Sequence, residues 1–225
     1  MVNDTDKTMR GFLEGCVAHP ENCALARPNK TAKDLEEDLY AFFQDIRLSP
    51  IPFSNAKSSL DSVTYTAIHG RFFLSLYRPI EYPMIAAVLD GLMQGNATLA
   101  AILFATEAES AAVPKPAPEA ILGIRGGDKV PRVDSLDDLR STYLEYEEAT
   151  EFFIDVWGSA NTITCAQWKF EAKGRYMGDF DVETANPILF IGNTYDPVTP
   201  LVSAKNMTKS FRNGVLLQHN GFGVS

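Results

Sequence analysis

A chain of 225 residues, 45% hydrophobic and 11% aromatic, has room for one large domain or two small ones and enough apolar content for a packed core. Its net charge of −9 and pI near 4.8, with no basic stripe interrupting the Asp/Glu excess, exclude nucleic acid as the expected partner. No apolar run reaches the length of a bilayer span, so no membrane partner is expected, and the opening MVNDTDKTMR lacks the apolar centre of a signal peptide.

In chain order, Met9, Phe12, Leu13, Cys16 and Val17 recur at helical spacing and predict an amphipathic helix between Asp4 and His19. Cys16 and Cys23 frame the segment CVAHPENC, which reads either as a disulfide stapling the helix end to the next loop in an oxidising compartment or as two buried thiols. Thr31 with Asp34 makes a capping-box start, and Leu35, Leu39, Phe42, Phe43 and Ile46 continue one apolar face until Ser49-Pro50. Leu60 to Tyr77 is an aromatic helical segment containing His69, a lone histidine of the kind that more often packs than ligates. Pro83 opens a helix broken by Gly95-Asn96, and Thr98 to Ala108 forms another. These helices, each with a stripe that needs a partner surface, predict a helical cap or lid over residues 1–118.

The proline-rich ESAAVPKPAP, Glu109 to Pro118, reads as a boundary, and residues 119–225 have α/β texture. Ala120 to Ile124 is expected to be a strand ended by Gly126-Gly127-Asp128. Arg125-Gly-Gly-Asp is not a phosphate loop, because no Lys-Ser/Thr follows at the required spacing. Ser135-Leu-Asp-Asp begins a long helix through Leu139, Tyr143 and Tyr146 toward Phe153 and Trp157, and Cys165-Ala-Gln-Trp168 is a turn. Ile188 to Ile191 and Val215 to Gln218 predict parallel strands buried on both faces, linked by a crossover helix from Pro200 to Phe211. No cofactor or metal is expected.

The chemistry concentrates in PILFIGNTYDPVTP and VLLQHNGFGVS. Asp196 sits on the loop after the first strand, stiffened by Pro197 and Pro200, with Thr199 expected to cap the following helix. An acid fixed at the end of a buried strand is where a Ser-His-acid triad on an α/β sheet places the residue that orients its histidine. Four Asn-x-Thr acceptors, at Asn3, Asn29, Asn96 and Asn206, are glycosylation candidates and point to an extracellular parent protein. With no export signal in the opening residues, the true N-terminus is expected to lie upstream of Met1.

Several of these stretches resemble the α/β-hydrolase serine peptidases of the tripeptidyl aminopeptidase-like group, relatives of prolyl aminopeptidases in peptidase family S33, in a secreted fungal style. The resemblance is carried by Phe12 to Cys23, Tyr77-Arg-Pro-Ile-Glu-Tyr-Pro through Gly95, Ala120-Ile-Leu-Gly-Ile, Cys165-Ala-Gln-Trp168, Ile188 through Asp196-Pro-Val-Thr-Pro, and Asn220-Gly-Phe-Gly. It covers nearly the whole chain but only the later part of the family's length. It implies Asp196 as triad acid, a short peptide as substrate in the intact enzyme, and a cysteine near Gly126 as the partner of Cys165. The family's nucleophile lies on G-x-S-x-G, which is absent from this sequence, and its histidine follows Gly223, where this chain has Val224. His219 lies on the strand side of that turn and is not assigned the role. Val224-Ser225 is also what an intron donor encodes when read through, so the proper exon is expected to continue with His. The chain alone is therefore expected to be inactive. The alternatives are a non-catalytic peptide- or ligand-binding module, a truncated gene product without function, and a lipase, esterase or epoxide-hydrolase chemistry on the same scaffold.

Overall fold

The computed structural model describes residues 4–53, 62–111, 118–128, 132–157 and 162–224. The chain divides into two units, one running from Lys7 to Lys115 and the other joining Met1–Asp6 to Pro116–Ser225.

The first unit is helical. α1 (Thr5–Ala18) contributes Met9, Phe12 and Leu13 to its core, and α2 (Ala32–Leu48) buries Leu35, Leu39, Phe42, Phe43 and Ile46. The Thr31 hydroxyl accepts from the Asp34 amide while the Asp34 carboxylate accepts from the Thr31 amide, a complete capping box. β1 (Ile51–Pro52) and β2 (Ser62–Val63) form a two-residue antiparallel ladder where helix is expected from Leu60 onward. The β-branched Val63 and Thr64 favour extended backbone, and Thr64 instead caps α3 (Tyr65–Ser75), accepting from the Ala67 amide. α4 (Tyr82–Met93) and α5 (Thr98–Ala111) follow, separated by Gly95 at φ +76. α2 packs on α3, α3 on α4 and α4 on α5, with the rings of Phe12, Phe43 and Phe72 at the centre. Most of the boundary segment ESAAVPKPAP lies outside the described residues.

The second unit departs further from expectation. Ala120 to Ile124 is not a strand but the middle of α6 (Pro118–Asp128). A five-residue apolar run carries no periodicity of its own, and here Pro118 at the first helical position and helix-favouring Glu119, Ala120 and Leu122 decide it. The long helix expected from Ser135 is broken into a 3₁₀ turn (Leu136–Leu139), α7 (Arg140–Ala149) and α8 (Ile154–Trp157). The break falls at the buried Thr150, whose hydroxyl donates to Asp6 and accepts from the Phe153 amide, holding the backbone extended at φ −150 and ψ 125. The Cys165 turn is one helical turn, α9 (Thr164–Ala166).

β3 (Ile188–Tyr195) and β4 (Gly214–Phe222) are parallel neighbours, and α10 (Leu201–Ser210) provides the long connection that parallel neighbours require. β3 runs on past Gly192-Asn193 because the ladder does, pairing Gly192 with Gln218 and Asn193 with His219. β4 likewise absorbs Asn220 to Phe222, so the turn begins only at Gly223, at φ +89. α10 covers one face of the pair, where Gly192 meets Leu201 and Ala204. The other face is not covered, contrary to the expectation of burial on both. Leu189, Ile191, Val215 and Leu217 are 51–57% exposed, because among the described residues no helix lies on them.

Candidate functional site

Asp196 follows the last residue of β3 and is 1% exposed. One carboxylate oxygen, Oδ1, accepts from the backbone amides of Val198 at 2.9 Å and Thr199 at 2.8 Å. The other, Oδ2, accepts from the Thr199 hydroxyl at 2.7 Å. Thr199 is thus spent on the acid rather than on a helix cap. α10 starts one residue later than expected, with Pro200 at its N-cap and no side-chain cap bond. The loop is held from outside as well, since the fully buried Thr5 hydroxyl donates to the Pro197 carbonyl at 2.7 Å. Among the described residues no Lys or Arg pairs with Asp196, so neutral donors alone solvate a buried charge. Such a carboxylate is fixed in place, and Oδ2 keeps acceptor capacity for one further donor.

The C-terminal turn is tied to the same strand. Gly223 donates its amide to the Tyr195 carbonyl at 3.0 Å, and its carbonyl accepts from Asn193 Nδ2 at 2.8 Å. Asn193, 3% exposed, also meets His219 Nδ1 through Oδ1 at 2.8 Å. Tyr195 and Phe222 stack at 4.8 Å, and on the α10 side Thr194, Gln218 and Asn220 share hydrogen bonds. Val224, in the position that the sequence resemblance gives to histidine, is 42% exposed.

The remaining candidates do not converge on Asp196. His219 is engaged with Asn193. His69 is buried in the helical unit, stacked on Tyr65 and edge-on to Phe43, and His19 lies at the surface beside Glu21. Cys16 and Cys23 are disulfide-bonded, and Cys165 is buried and free. Gly126, near which the resemblance places a cysteine, lies against the Trp168 ring. Asn29, Asn96 and Asn206 are exposed, whereas Asn3 lies outside the described residues. Among the described residues no group of three or more His, Cys, Asp or Glu side chains is placed to hold a metal. The helical unit has its own apolar cleft of about 230 Å³, bounded by Phe12, the Cys16–Cys23 disulfide, Pro79, Tyr82 and Pro83. Burial pushes the Tyr82 phenol well above its ordinary range, and its hydroxyl is without a partner among the described residues.

The sequence points to Asp196 but not to Thr199 as its donor, to Thr5 as the tie on its loop, or to Asn193 as the support of the C-terminal turn. Asn193 is the one polar residue in the row Leu189, Ile191, Asn193, a signal that only the strand's true length makes visible. A family model described as TAP-like protein, of the α/β-hydrolase class, matches residues 150–224. No curated protein matches the chain.

Proposed function

With residues 150–224 being the C-terminal part of a TAP-like α/β-hydrolase, we propose that Asp196 is the acid of a Ser-His-Asp triad in a secreted serine exopeptidase that removes short peptides from N-termini. The observation that carries this reading is a fixed carboxylate, solvated only by neutral donors, on the loop beyond a parallel strand. A buried negative charge of that kind stabilises an imidazolium and selects its tautomer, which is the acid's task in the triad. The carboxyl ends of parallel strands are also where α/β sheets hold their ligands. The three sequons on the described surface and the disulfide in the helical unit support an oxidising, extracellular setting.

On this reading the 225-residue chain performs no hydrolysis by itself. It has no G-x-S-x-G, and Val224 follows Gly223, so Asp196 has neither base to orient nor nucleophile to serve. A fluorophosphonate probe is expected to leave the purified chain unlabelled, and aminoacyl and tripeptidyl substrates are expected to remain intact. Stoichiometric labelling of any serine overturns the proposal. A second reading, a non-catalytic module binding an apolar group, draws on the cleft beside Tyr82. Ligand-dependent stabilisation without labelling, lost on filling that cleft with Gly15→Leu, distinguishes it.

A further inference from the structure

We infer that Asn193 is a positioning residue, which with His219 fixes where the residue after Gly223 stands relative to the Asp196 carboxylate; this rests on the reading of Asp196 as a triad acid.

Asn193 stands in an otherwise apolar row of β3 and is almost wholly buried, a place where an amide is costly unless both its ends are bonded. Both are. The Gly223 carbonyl can only accept, so the amide atom at 2.8 Å from it is the NH₂. Oδ1 must then face His219, and since Oδ1 can only accept, the histidine carries its proton on Nδ1. The chain of donors therefore has one direction: His219 to Asn193, and Asn193 to Gly223. Protonating His219 adds a proton at Nε2 and leaves that direction unchanged.

The backbone is arranged around this relay. Between Asn193↔His219 and Tyr195↔Phe222, β4 spends three residues where β3 spends two, a bulge that turns the end of β4 back over its neighbour. Gly221 leaves the space His219 occupies, because a Cβ there would come within 2.7 Å of the imidazole. Gly223, at a positive φ, is then clamped at its amide by Tyr195 and at its carbonyl by Asn193, the residues one and three places before Asp196. Position 224 is one peptide link beyond that clamp, and its placement follows from it.

Val224→His supplies the reporter. Its imidazole, followed by NMR across a pH titration, is expected to have a pKa raised by about one unit or more relative to the same substitution combined with Asp196→Asn, as an opposite charge within contact distance requires. Adding Asn193→Leu is expected to remove at least half of that shift while the thermal melt stays cooperative. If the shift survives intact in folded Asn193→Leu, the positioning role is wrong and the reading of Asp196 stands. If Val224→His alone shows no shift, the reading of Asp196 fails and the inference with it. Should Asn193→Leu not fold, His219→Phe, at an exposed position, removes only the donor that orients the amide; an undiminished shift there overturns the inference. In the unsubstituted chain, ¹⁵N shifts are expected to show neutral His219 protonated at Nδ1, and an Nε2–H tautomer contradicts the relay.

Discussion

Thr199 gives both its amide and its hydroxyl to Asp196, so a side chain usually spent on a helix end here fixes a charge. Thr199→Val keeps the shape and removes one hydrogen bond to a carboxylate, an expected loss of about 1.5–3 kcal/mol in urea unfolding, with Thr199→Ser close to the parent. A second charge, on Glu81, contributes to the pH dependence of stability. Burial raises the pKa of Glu81, but hydrogen bonds and charge from Arg71 at 2.8 Å and Arg78 at 3.1 Å outweigh it, leaving the carboxyl below its ordinary 4.5. A depressed folded-state pKa contributes stability that is present above 4.5 and is lost as pH falls through the lower, folded value. Glu81→Gln is therefore expected to flatten the acid limb of the stability curve, measured by denaturant melts from neutral pH to strong acid. Asp196 was legible because an acid and two prolines follow an apolar run. The tie from Thr5 to the Pro197 carbonyl beside it was not, since that bond joins positions 192 apart.

At the scale of elements, legibility followed periodicity. α1 and α2 show enough turns for their apolar stripes to declare a helix, and Thr31 with Asp34 marks the start of α2. Thr31→Ala is expected to cost about 1 kcal/mol, read from the thermal melt, with Thr31→Ser retaining most of it. Where a run is short, its identity depends on neighbours that the sequence does not name. Ala120 to Ile124 has the composition of a buried strand yet no strand beside it among the described residues, and it coils into α6. Ile188 to Ile191 does have a neighbour, and the ladder with β4 carries β3 through Gly192-Asn193, residues that in isolation read as a stop. The same extension puts Asn193 opposite His219, so the error over where β3 ends also hid the support of the C-terminal turn.

At the scale of the molecule, the uncovered face of β3 and β4 matters most. Parallel sheets are ordinarily covered on both sides, and an exposed apolar face with unpaired strand edges invites association. The chain is expected to self-associate in sedimentation velocity as its concentration rises. Leu217→Lys, at a side chain 51% exposed, is expected to raise the monomer fraction while changing stability by no more than about 0.5 kcal/mol. If the unsubstituted chain and Leu217→Lys both sediment as monomers, that face does not drive association. The two units also differ in how their contacts are strung along the chain. Lys7–Lys115 is continuous, whereas the other unit gathers Met1–Asp6 with everything after Lys115. During synthesis on the ribosome the helical unit, being continuous, can begin to pack once its own last residues emerge. Thr5 must wait for Pro197, 192 positions later, so the Asp196 loop closes only after the whole intervening stretch has emerged.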